Sequence, residues 1–314
     1  MTGPVTEPPT TAEAVRIARP TPPRPPARAK RPMRPARVVL TVFLSVMALG
    51  WLFPIAWAVY NSLRDYDYTS LNGYFSFGGF TFDNYVEAWS RGNFAQTFTN
   101  TAIIVIPSVV ITLLLASSVA FVLARFSFAF NLTLLALFTA ANLLPQQALL
   151  VPLFRLFLNI EVPFWFSDSG TLYDTYYAVI AVNIAFQTGF CTFVLANYMK
   201  TLPRELYESA QVDGAGVLRQ YWQIVLPLCR PALAALSVLQ VTWVYNDFFW
   251  AVAFMRTGDK LPVTSSLQNL RGQFFTDYNL LSAGSVIVAI PTLVIFFVLQ
   301  RHLRAGLTLG ATKG

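Results

Sequence analysis

The sequence has few charged residues. Of its 314 residues, 12% are Lys, Arg, Asp or Glu, whereas 55% are hydrophobic and the mean hydropathy is +0.52. Soluble domains carry about 25% charged residues. Because a soluble chain of this length needs a mostly polar surface, the composition excludes an ordinary water-soluble globule and indicates a surface that faces lipid.

Residues that form metal sites or disulfides are also scarce. The sequence holds one histidine, His302, and two cysteines, Cys191 and Cys229, which lie in or beside apolar runs. This set is too small for a zinc site or a disulfide framework, and we expect both cysteines to pack as apolar side chains. The sequence also lacks a Gly-rich phosphate loop of the Walker type. We therefore expect no metal or other cofactor on this chain, and no ATP hydrolysis by it.

Proline and basic residues concentrate at the N-terminus. Residues 1–37 hold ten of the 20 prolines and eight of the 22 lysines and arginines. Such a segment forms neither a core nor a regular helix, so it predicts a disordered cytosolic tail. A secretory signal peptide is the competing interpretation, but the basic region is long and no convincing small-residue cleavage site follows. A ligand for a PxxP-binding adaptor is a further alternative for this tail.

Beyond the tail, the sequence divides into long apolar runs, each longer than the roughly 20 residues that span a bilayer as a helix. The runs are Val38–Leu63, Gly92–Ala124, Phe126–Phe154, Thr175–Met199, Pro231–Met255 and Tyr278–Gln300. Only the fifth contains a charged residue, Asp247. The runs are too long and too uniformly apolar for barrel strands. The sequence therefore predicts an all-α integral membrane protein with six transmembrane helices over residues 38–302, followed by a cytosolic tail at 303–314.

Lysine and arginine set the expected orientation. With the N-terminus in the cytosol, the cytosolic segments hold sixteen of these residues and the outer loops hold six. The positive-inside rule therefore predicts that both termini are cytosolic. The positive-inside rule explains why the basic residues lie where they do. The net charge of +7 therefore does not indicate a nucleic acid partner.

The cytosolic loop at about 200–230 predicts two short helices joined by a turn. Pro203 suits the first turn of a helix, and Glu205 and Glu208 put negative charge near its positive end. Glycine supplies the backbone conformation of a sharp turn, so this helix is expected to stop at Asp213-Gly214.

The second segment is expected to be amphipathic. Its apolar residues recur at i, i+3, i+4 and i+7, namely Leu218, Tyr221, Trp222 and Val225. Pro227 and Pro231 are expected to break it before the fifth span. The two helices would form a rigid knob that a soluble partner could bind, or an amphipathic loop that lies on the membrane.

The same loop resembles a known motif. Its segments Glu208-Ser209-Ala210, Asp213-Gly214-Ala215 and Ile224-Val225-Leu226-Pro227 are similar to the EAA motif of the membrane subunits of bacterial ABC importers. The spacing from glutamate through glycine to proline matches without a gap. Ser209 stands where the family more often has alanine, which is a small-for-small exchange.

The resemblance extends from about Val38 to Gly314 and looks closest to the carbohydrate-importing, maltose-transporter type of permease. The further similar segments are Phe82–Tyr85, Asn100-Thr101, Tyr245–Phe248 and the ending Gly306–Gly314. The proline-rich tail has no counterpart in that pattern.

The resemblance implies the type I ABC importer permease fold and a role for the loop. In this family the loop forms a coupling helix in a cleft of the ATPase subunit, with the glutamate, here Glu208, facing the cleft and the glycine, here Gly214, allowing the turn. The other residues that the motif assigns to coupling are Ser209, Ala210, Asp213, Ala215, Ile224 and Pro227.

The resemblance also implies the partners. Two homologous permease subunits pair around a central path in the bacterial inner membrane, a dimer of ATPase subunits binds ATP and Mg²⁺, and an extracytoplasmic solute-binding protein delivers a mono- or oligosaccharide. The chain itself would be a translocation subunit without catalytic residues.

Polar residues within the apolar runs are candidates for the substrate path. Burying an unpaired charge in a membrane is expensive, so we expect Asp247 to face protein or water. It could line the sugar path together with Asn246, or tie helices together through a hydrogen bond. The further candidates are Gln146, Gln147, Asn183 and Gln187.

Two alternative functions stay open on the sequence. A single-chain secondary transporter or channel would normally carry ionisable residues at mid-membrane, and often an internal repeat, whereas only Asp247 and no convincing repeat are present. An ABC permease for a solute other than a sugar is the second alternative.

Overall fold

A computed structural model describes residues 3, 35–142, 144–272 and 276–308. Within these ranges the chain is helical, with two isolated bridges, Arg64 to Phe80 and Glu161 to Thr171, and no β-strand. This confirms the all-α prediction. Apart from Gly3 and the start of the first helix, the predicted tail at 1–37 lies outside the described residues, as does 309–314 of the predicted C-terminal tail. The remainder of that tail, to Thr308, is helical.

Among the described residues, four helices are long and apolar enough to span a membrane. They are α1 (Pro35–Ser62), α4 (Phe94–Arg125), α7 (Tyr176–Met199) and α13 (Tyr278–Thr308). The chain divides into two units, 1–53 and 54–314, within α1. The first unit contributes Gly3 and the N-terminal part of α1 to the described residues, and all features below lie in the second unit.

Shorter helices connect the long ones. They are α2 (Tyr66–Asn72), α3 (Asp83–Arg91), α5 (Asn131–Ala141), α6 (Leu150–Asn159), α8 (Glu205–Val212), α9 (Val217–Leu228), α10 (Arg230–Tyr245), α11 (Phe249–Phe254) and α12 (Val263–Ser266). Three 3₁₀ turns accompany them at Gln146–Leu149, Gly258–Lys260 and Leu267–Leu270.

Two of the six predicted spans are not continuous helices. The run Phe126–Phe154 contains Pro145, which has no N–H to continue a helix, and the structure divides this run into α5, a 3₁₀ turn and α6. In the run Pro231–Met255, α10 ends at Tyr245 before Asp247. Helices α9 and α10 meet at 74°, and counting them as one bent span gives five candidate spans. Six spans therefore stay a prediction.

The core consists of two clusters along α4 and α7. The first includes Phe94, Val179, Trp250, Phe254 and Leu280. The second includes Phe121, Leu195, Met199, Tyr221 and Leu236. Beside them, α5 packs closely on α7 at Gly189, where an added Cβ would lie 2.4 Å from the carbonyl oxygen of Phe138.

Candidate functional site

The chain has two candidate functional regions: a helical protrusion, Glu205–Leu228, and a polar cavity around Asp247. The protrusion begins with α8, Glu205–Val212, which is capped at Asp213, where the sequence predicts its end. Pro203 lies before the N-cap, Arg204, and not in the first turn as predicted. Gly214 then has φ +75°, a left-handed conformation that glycine adopts without strain. The Ala215 N–H donates to the carbonyl of Ala210 at 2.9 Å and closes the helix end.

Helix α8 buries one face and exposes the other. Tyr207 and Ala210 are buried, whereas Glu208, Ser209 and Asp213 are exposed. The predicted coupling residues of α8 thus divide into a part that anchors the helix and a part that a partner could contact. The exposed carboxylate of Glu208 also lies in the first turn, where the helix dipole favours negative charge.

Helix α9 buries part of its apolar stripe against the rest of this chain. Tyr221 and Val225 are buried, whereas Leu218 and Trp222 are 76% and 53% exposed. The helix contains a π-helical turn at Tyr221–Val225, in which the N–H of residue 226 donates five residues back to the Tyr221 carbonyl. This wider turn changes the angular spacing of the residues on either side of it.

Pro227 does not end the second helix. Pro227 has no N–H to donate to a preceding carbonyl, and the π turn lies directly before it. The chain stays helical to Leu228, and the sharp bend follows at Cys229, before α10. Of the remaining predicted coupling residues, Ile224 and Pro227 are half-buried within α9.

The protrusion is fixed to the end of α4 through Tyr221. The Tyr221 hydroxyl bonds to Ser117 Oγ at 2.7 Å and accepts from Ser118 Oγ at 3.2 Å. Its ring lies 5.4 Å from the ring of Phe121. The sequence argument missed this attachment, although two adjacent serines in an otherwise apolar run are a signal for a polar contact.

A second attachment runs through Tyr207. The guanidinium of Arg125 lies 4.9 Å from the centre of the Tyr207 ring, and Phe121 packs against the same ring at 6.5 Å. Burial raises the pKa of the Tyr207 hydroxyl. Within the described residues this hydroxyl has no hydrogen-bond partner. Tyr207 is therefore held by its ring and not by its hydroxyl.

The polar cavity has a volume of about 620 Å³, within the range of small-molecule sites. The lining residues are Asn142, Gln146, Asn183, Phe186, Gln187, Phe190, Trp243, Asn246, Asp247, Phe248, Phe249 and Trp250. Five of the six predicted path candidates belong to this lining, namely Gln146, Asn183, Gln187, Asn246 and Asp247. The sixth, Gln147, which is the neighbour of Gln146, does not line the cavity.

Asp247 ties three helices together beside this cavity. Its Oδ2 accepts from the Asn183 amide of α7 at 3.0 Å, and its Oδ1 accepts from the Trp250 N–H of α11 at 3.1 Å. Its backbone carbonyl accepts from Thr264 Oγ1 of α12 at 3.2 Å. Asp247 therefore links helices and also lines a cavity, and its place on a sugar path stays a prediction.

Aromatic rings form the apolar walls of the cavity. Phe186 and Trp250 have ring centres 5.3 Å apart, as do Phe190 and Trp243. The sequence argument did not select these rings. Trp243, Asn246 and Asp247 are spaced at i, i+3 and i+4. This spacing could have indicated that the three residues line the same cavity. The cavity thus combines amide and carboxylate groups with flat apolar surfaces. Among the residues that the structure describes, no cluster of three or more His, Cys, Asp or Glu could hold a metal ion.

A comparison with protein families gives one match. The family described as "binding-protein-dependent transport system inner membrane component" matches residues 89–308, which include both the protrusion and the cavity.

Several curated proteins are similar to the chain. The alpha-glucoside transport system permease protein AglG of Rhizobium meliloti (strain 1021) is 36% identical over 236 residues, or 75% of this chain, and the match spans 61% of AglG. The probable ABC transporter permease protein PH1036 of Pyrococcus horikoshii is 32% identical over 83% of this chain and 92% of its own length. The melibiose/raffinose/stachyose import permease protein MelC of Bacillus subtilis (strain 168) is 29% identical over 74% of this chain and 82% of its own length.

Solved structures share the fold. A chain of a bacterial ABC transporter involved in the import of the acidic polysaccharide alginate matches with a TM-score of 0.70 and 20% identity, over 84% of this chain and 95% of that chain. A second structure matches with a TM-score of 0.64 and 18% identity, over 86% of this chain and 96% of that chain. It is a bacterial alginate ABC transporter in complex with alginate pentasaccharide-bound periplasmic protein.

Proposed function

The chain belongs to the family of binding-protein-dependent transport system inner membrane components, and we propose that it is the permease subunit of an ATP-driven importer for sugars. Membership in this family makes it a multi-pass membrane protein that translocates a solute and is not itself an enzyme. The relatives AglG and MelC are named for alpha-glucoside transport and for melibiose, raffinose and stachyose import.

The observation that carries the sugar assignment is the lining of the polar cavity. Sugar hydroxyls both donate and accept hydrogen bonds, and the amides of Gln146 and Asn246 offer both kinds of partner. Asn183 donates both of its N–H groups within the protein and so offers only its amide oxygen, as an acceptor. The exposed flat rings of Trp243 and Phe248 offer surfaces for the apolar face of a sugar ring. A cavity of about 620 Å³ is large enough for a saccharide unit.

The protrusion is the proposed contact with the ATPase subunit. Its exposed residues Glu208, Ser209 and Asp213 stand on a short helix whose other face is buried. A rigid helix of this kind transmits a displacement of its partner to the bundle, as alternating access requires. In this proposal the protrusion faces the cytosol, both termini are cytosolic, and ATP and Mg²⁺ bind only to the partner ATPase dimer.

The remaining proposed partners follow from the same assignment. A second homologous permease subunit completes the path, and an extracytoplasmic solute-binding protein delivers the sugar. The solved alginate transporter in complex with its periplasmic protein supports such an assembly. The alternative of a single-chain secondary transporter is disfavoured by the use of both Asp247 carboxylate oxygens in hydrogen bonds to Asn183 and Trp250.

The test is reconstitution with and without partners. The tagged chain is expressed together with a candidate ATPase, second permease and binding protein from the same genome, purified, and placed in proteoliposomes. We expect the three membrane-associated subunits to co-purify, and uptake of a labelled oligosaccharide to need both ATP and the binding protein. Uptake by the chain alone, or purification without any ATPase, would overturn the proposal.

A further inference from the structure

Helix α4 contacts the protrusion directly and the polar cavity through one intervening segment, although the chain does not join it directly to either. At one end, Ser117 and Ser118 hold the hydroxyl of Tyr221 in the protrusion. Both serine hydroxyls also lie within hydrogen-bond distance of the Leu114 carbonyl, Ser117 Oγ at 3.1 Å and Ser118 Oγ at 2.8 Å. The shorter contact of the Tyr221 hydroxyl, at 2.7 Å, is the one with Ser117. This end of α4 is therefore bound to the protrusion by a specific polar contact in an otherwise apolar cluster.

At its other end, α4 holds the segment that leads to α12. Asn100 Nδ2 donates to the carbonyls of Asp259 at 2.7 Å and Leu261 at 3.0 Å. Thr101 Oγ1 accepts from the N–H of Val263 at 2.9 Å. Asn100, Thr101 and Val263 are all buried, so these bonds are shielded from competition by water.

The held segment continues directly to the cavity. Thr264, the residue after Val263, donates its hydroxyl to the carbonyl of Asp247 at 3.2 Å. Asp247 in turn lines the polar cavity and binds Asn183. A displacement of α4 along its axis would therefore move the support of Asp247.

We propose that α4 carries the movement of the protrusion to the polar cavity, with the Tyr221–Ser117 bond as its input and the Thr101–Val263 bond as its output. The inference rests on the proposed function, and goes beyond it by naming a route through a helix that the protrusion does not adjoin in the chain. The two contacts are 16 residues apart on α4, which corresponds to about 24 Å along a helix. Pro107 lies between them and removes one backbone hydrogen bond, so α4 has a defined place to bend.

The input contact has a matched control within the protrusion. Tyr207 and Tyr221 both pack their rings on Phe121, and both are buried. Only the Tyr221 hydroxyl is hydrogen-bonded to α4, whereas the Tyr207 hydroxyl has no partner among the described residues. Removing each hydroxyl in turn by Tyr221→Phe and Tyr207→Phe therefore separates the polar contact from the packing of the ring.

The output contact has a matched pair of its own. Thr101→Val keeps the shape of the side chain and removes the acceptor for the Val263 N–H, whereas Thr101→Ser keeps the hydroxyl. A role of Thr101 through packing alone predicts that Thr101→Ser, which loses the methyl group, is impaired and that Thr101→Val is not. A role through the hydrogen bond predicts that only Thr101→Val is impaired.

The experiment measures the number of ATP molecules hydrolysed per sugar imported by the complete importer in proteoliposomes, with co-purification of the ATPase as a check on assembly. We expect Tyr221→Phe and Thr101→Val each to raise this ratio about 3- to 10-fold, the factor that corresponds to one net hydrogen bond. Tyr207→Phe and Thr101→Ser should stay within about twofold of the parent protein. The double variant Tyr221→Phe with Thr101→Val should be no worse than the poorer single variant, because both interrupt one route.

Three outcomes are distinguishable. If the parent complex contains no ATPase, the proposed function itself fails. If the complex assembles and imports sugar, but Tyr221→Phe and Thr101→Val leave the ratio unchanged or combine as independent effects, the α4 route is wrong. Should Tyr221→Phe fail to assemble, the comparison of Thr101→Val with Thr101→Ser decides, and equal ratios for the two overturn the proposal.

Discussion

Asn183 and Asp247 join α7 to the turn after α10 by a hydrogen bond from the Asn183 amide to Asp247 Oδ2 at 3.0 Å. The same amide donates to the Val179 carbonyl at 3.0 Å, and the second carboxylate oxygen caps α11 at Trp250. Both side chains line the polar cavity. One bond thus sets the distance between two walls of the proposed sugar path.

Reversing this donor–acceptor pair tests its role. Asn183→Asp would put two carboxylates together in a half-buried position, removing a hydrogen bond and adding repulsion, so we expect sugar uptake to fall at least about tenfold. The double exchange Asn183→Asp with Asp247→Asn returns a donor and an acceptor to the pair and should recover part of that loss. Initial uptake rates at equal amounts of membrane-inserted protein provide the measurement. Equal losses in the single and double variants would contradict the role of the bond.

Gly214 and Gly216 both lie in the turn of the protrusion. Comparing them distinguishes a requirement for a left-handed backbone conformation from a requirement for empty space around the residue. A Cβ at either position meets nothing within 4 Å, but only Gly214 has a positive φ, +75°. Alanine at 214 should therefore cost about 1–2 kcal/mol from backbone strain, whereas alanine at 216 should be tolerated. We expect Gly214→Ala to lower uptake several-fold and Gly216→Ala to leave it unchanged. Gly214→Val should block uptake while the protein stays in the membrane. Equal behaviour of the two alanine variants would argue against a requirement for the left-handed turn.

Two neighbouring glutamines test the polar cavity. Gln146 lines it, whereas Gln147 in the same 3₁₀ turn does not. If Gln146 contacts the sugar, Gln146→Ala removes a hydrogen-bonding group and should slow uptake at limiting sugar about 3- to 10-fold, with Gln147→Ala close to the parent protein. Transport measured over a range of sugar-loaded binding protein gives the comparison. A larger effect at 147 than at 146 would exclude the cavity as the path.

Asp174 gives a pH-dependent prediction outside the long helices. Burial raises the pKa of its carboxyl, but hydrogen bonds from Thr257 and from the Arg256 N–H, together with the charge of Lys260, outweigh burial and hold the pKa below the usual value. Its stabilisation of the loop at 255–261 is therefore fully present above about pH 4 and is lost as the pH falls through the lowered pKa.

Hydrogen exchange checks the Asp174 prediction. Asp174→Asn keeps a side chain that tolerates the positive φ of 60° at this position and removes the charge. At about pH 7 the Arg256 and Thr257 amides should exchange faster in the variant than in the parent protein, and the difference should shrink below about pH 4. A difference that is constant with pH would rule out the ionised carboxylate as its cause.

The parts of the fold that could be predicted from the sequence are those with a local cause. The uninterrupted apolar runs predict α1, α4, α7 and α13, and Gly214 marks the turn because only a left-handed residue reverses the chain there. Asp247 and Asn183 could be selected as site candidates because polar groups in apolar runs need a partner.

The parts that could not be predicted depend on contacts distant in the sequence. The spacing of the apolar residues does not signal the π turn at Tyr221–Val225 in α9. The Tyr221 hydroxyl binds Ser117, which lies 104 positions earlier in the chain. A helical periodicity of 3.6 groups Leu218 and Trp222 with Tyr221 and Val225, but does not show that only the last two pack against this chain. Pro145 is a local signal for the division of the run Phe126–Phe154. Hydropathy averaged over a long window does not detect a single proline.

The central claim is that the protrusion receives work from an ATPase, and two glutamates of α8 test it most directly. Glu205 and Glu208 both lie exposed in the first turn, so replacing either by lysine disturbs the helix dipole to a similar extent. The measurement is ATP-dependent sugar uptake and ATPase co-purification for Glu205→Lys and Glu208→Lys at matched membrane levels. We predict that Glu208→Lys abolishes uptake, with reduced ATPase recovery, while Glu205→Lys keeps most of both. Normal uptake and normal ATPase recovery for Glu208→Lys would contradict the account.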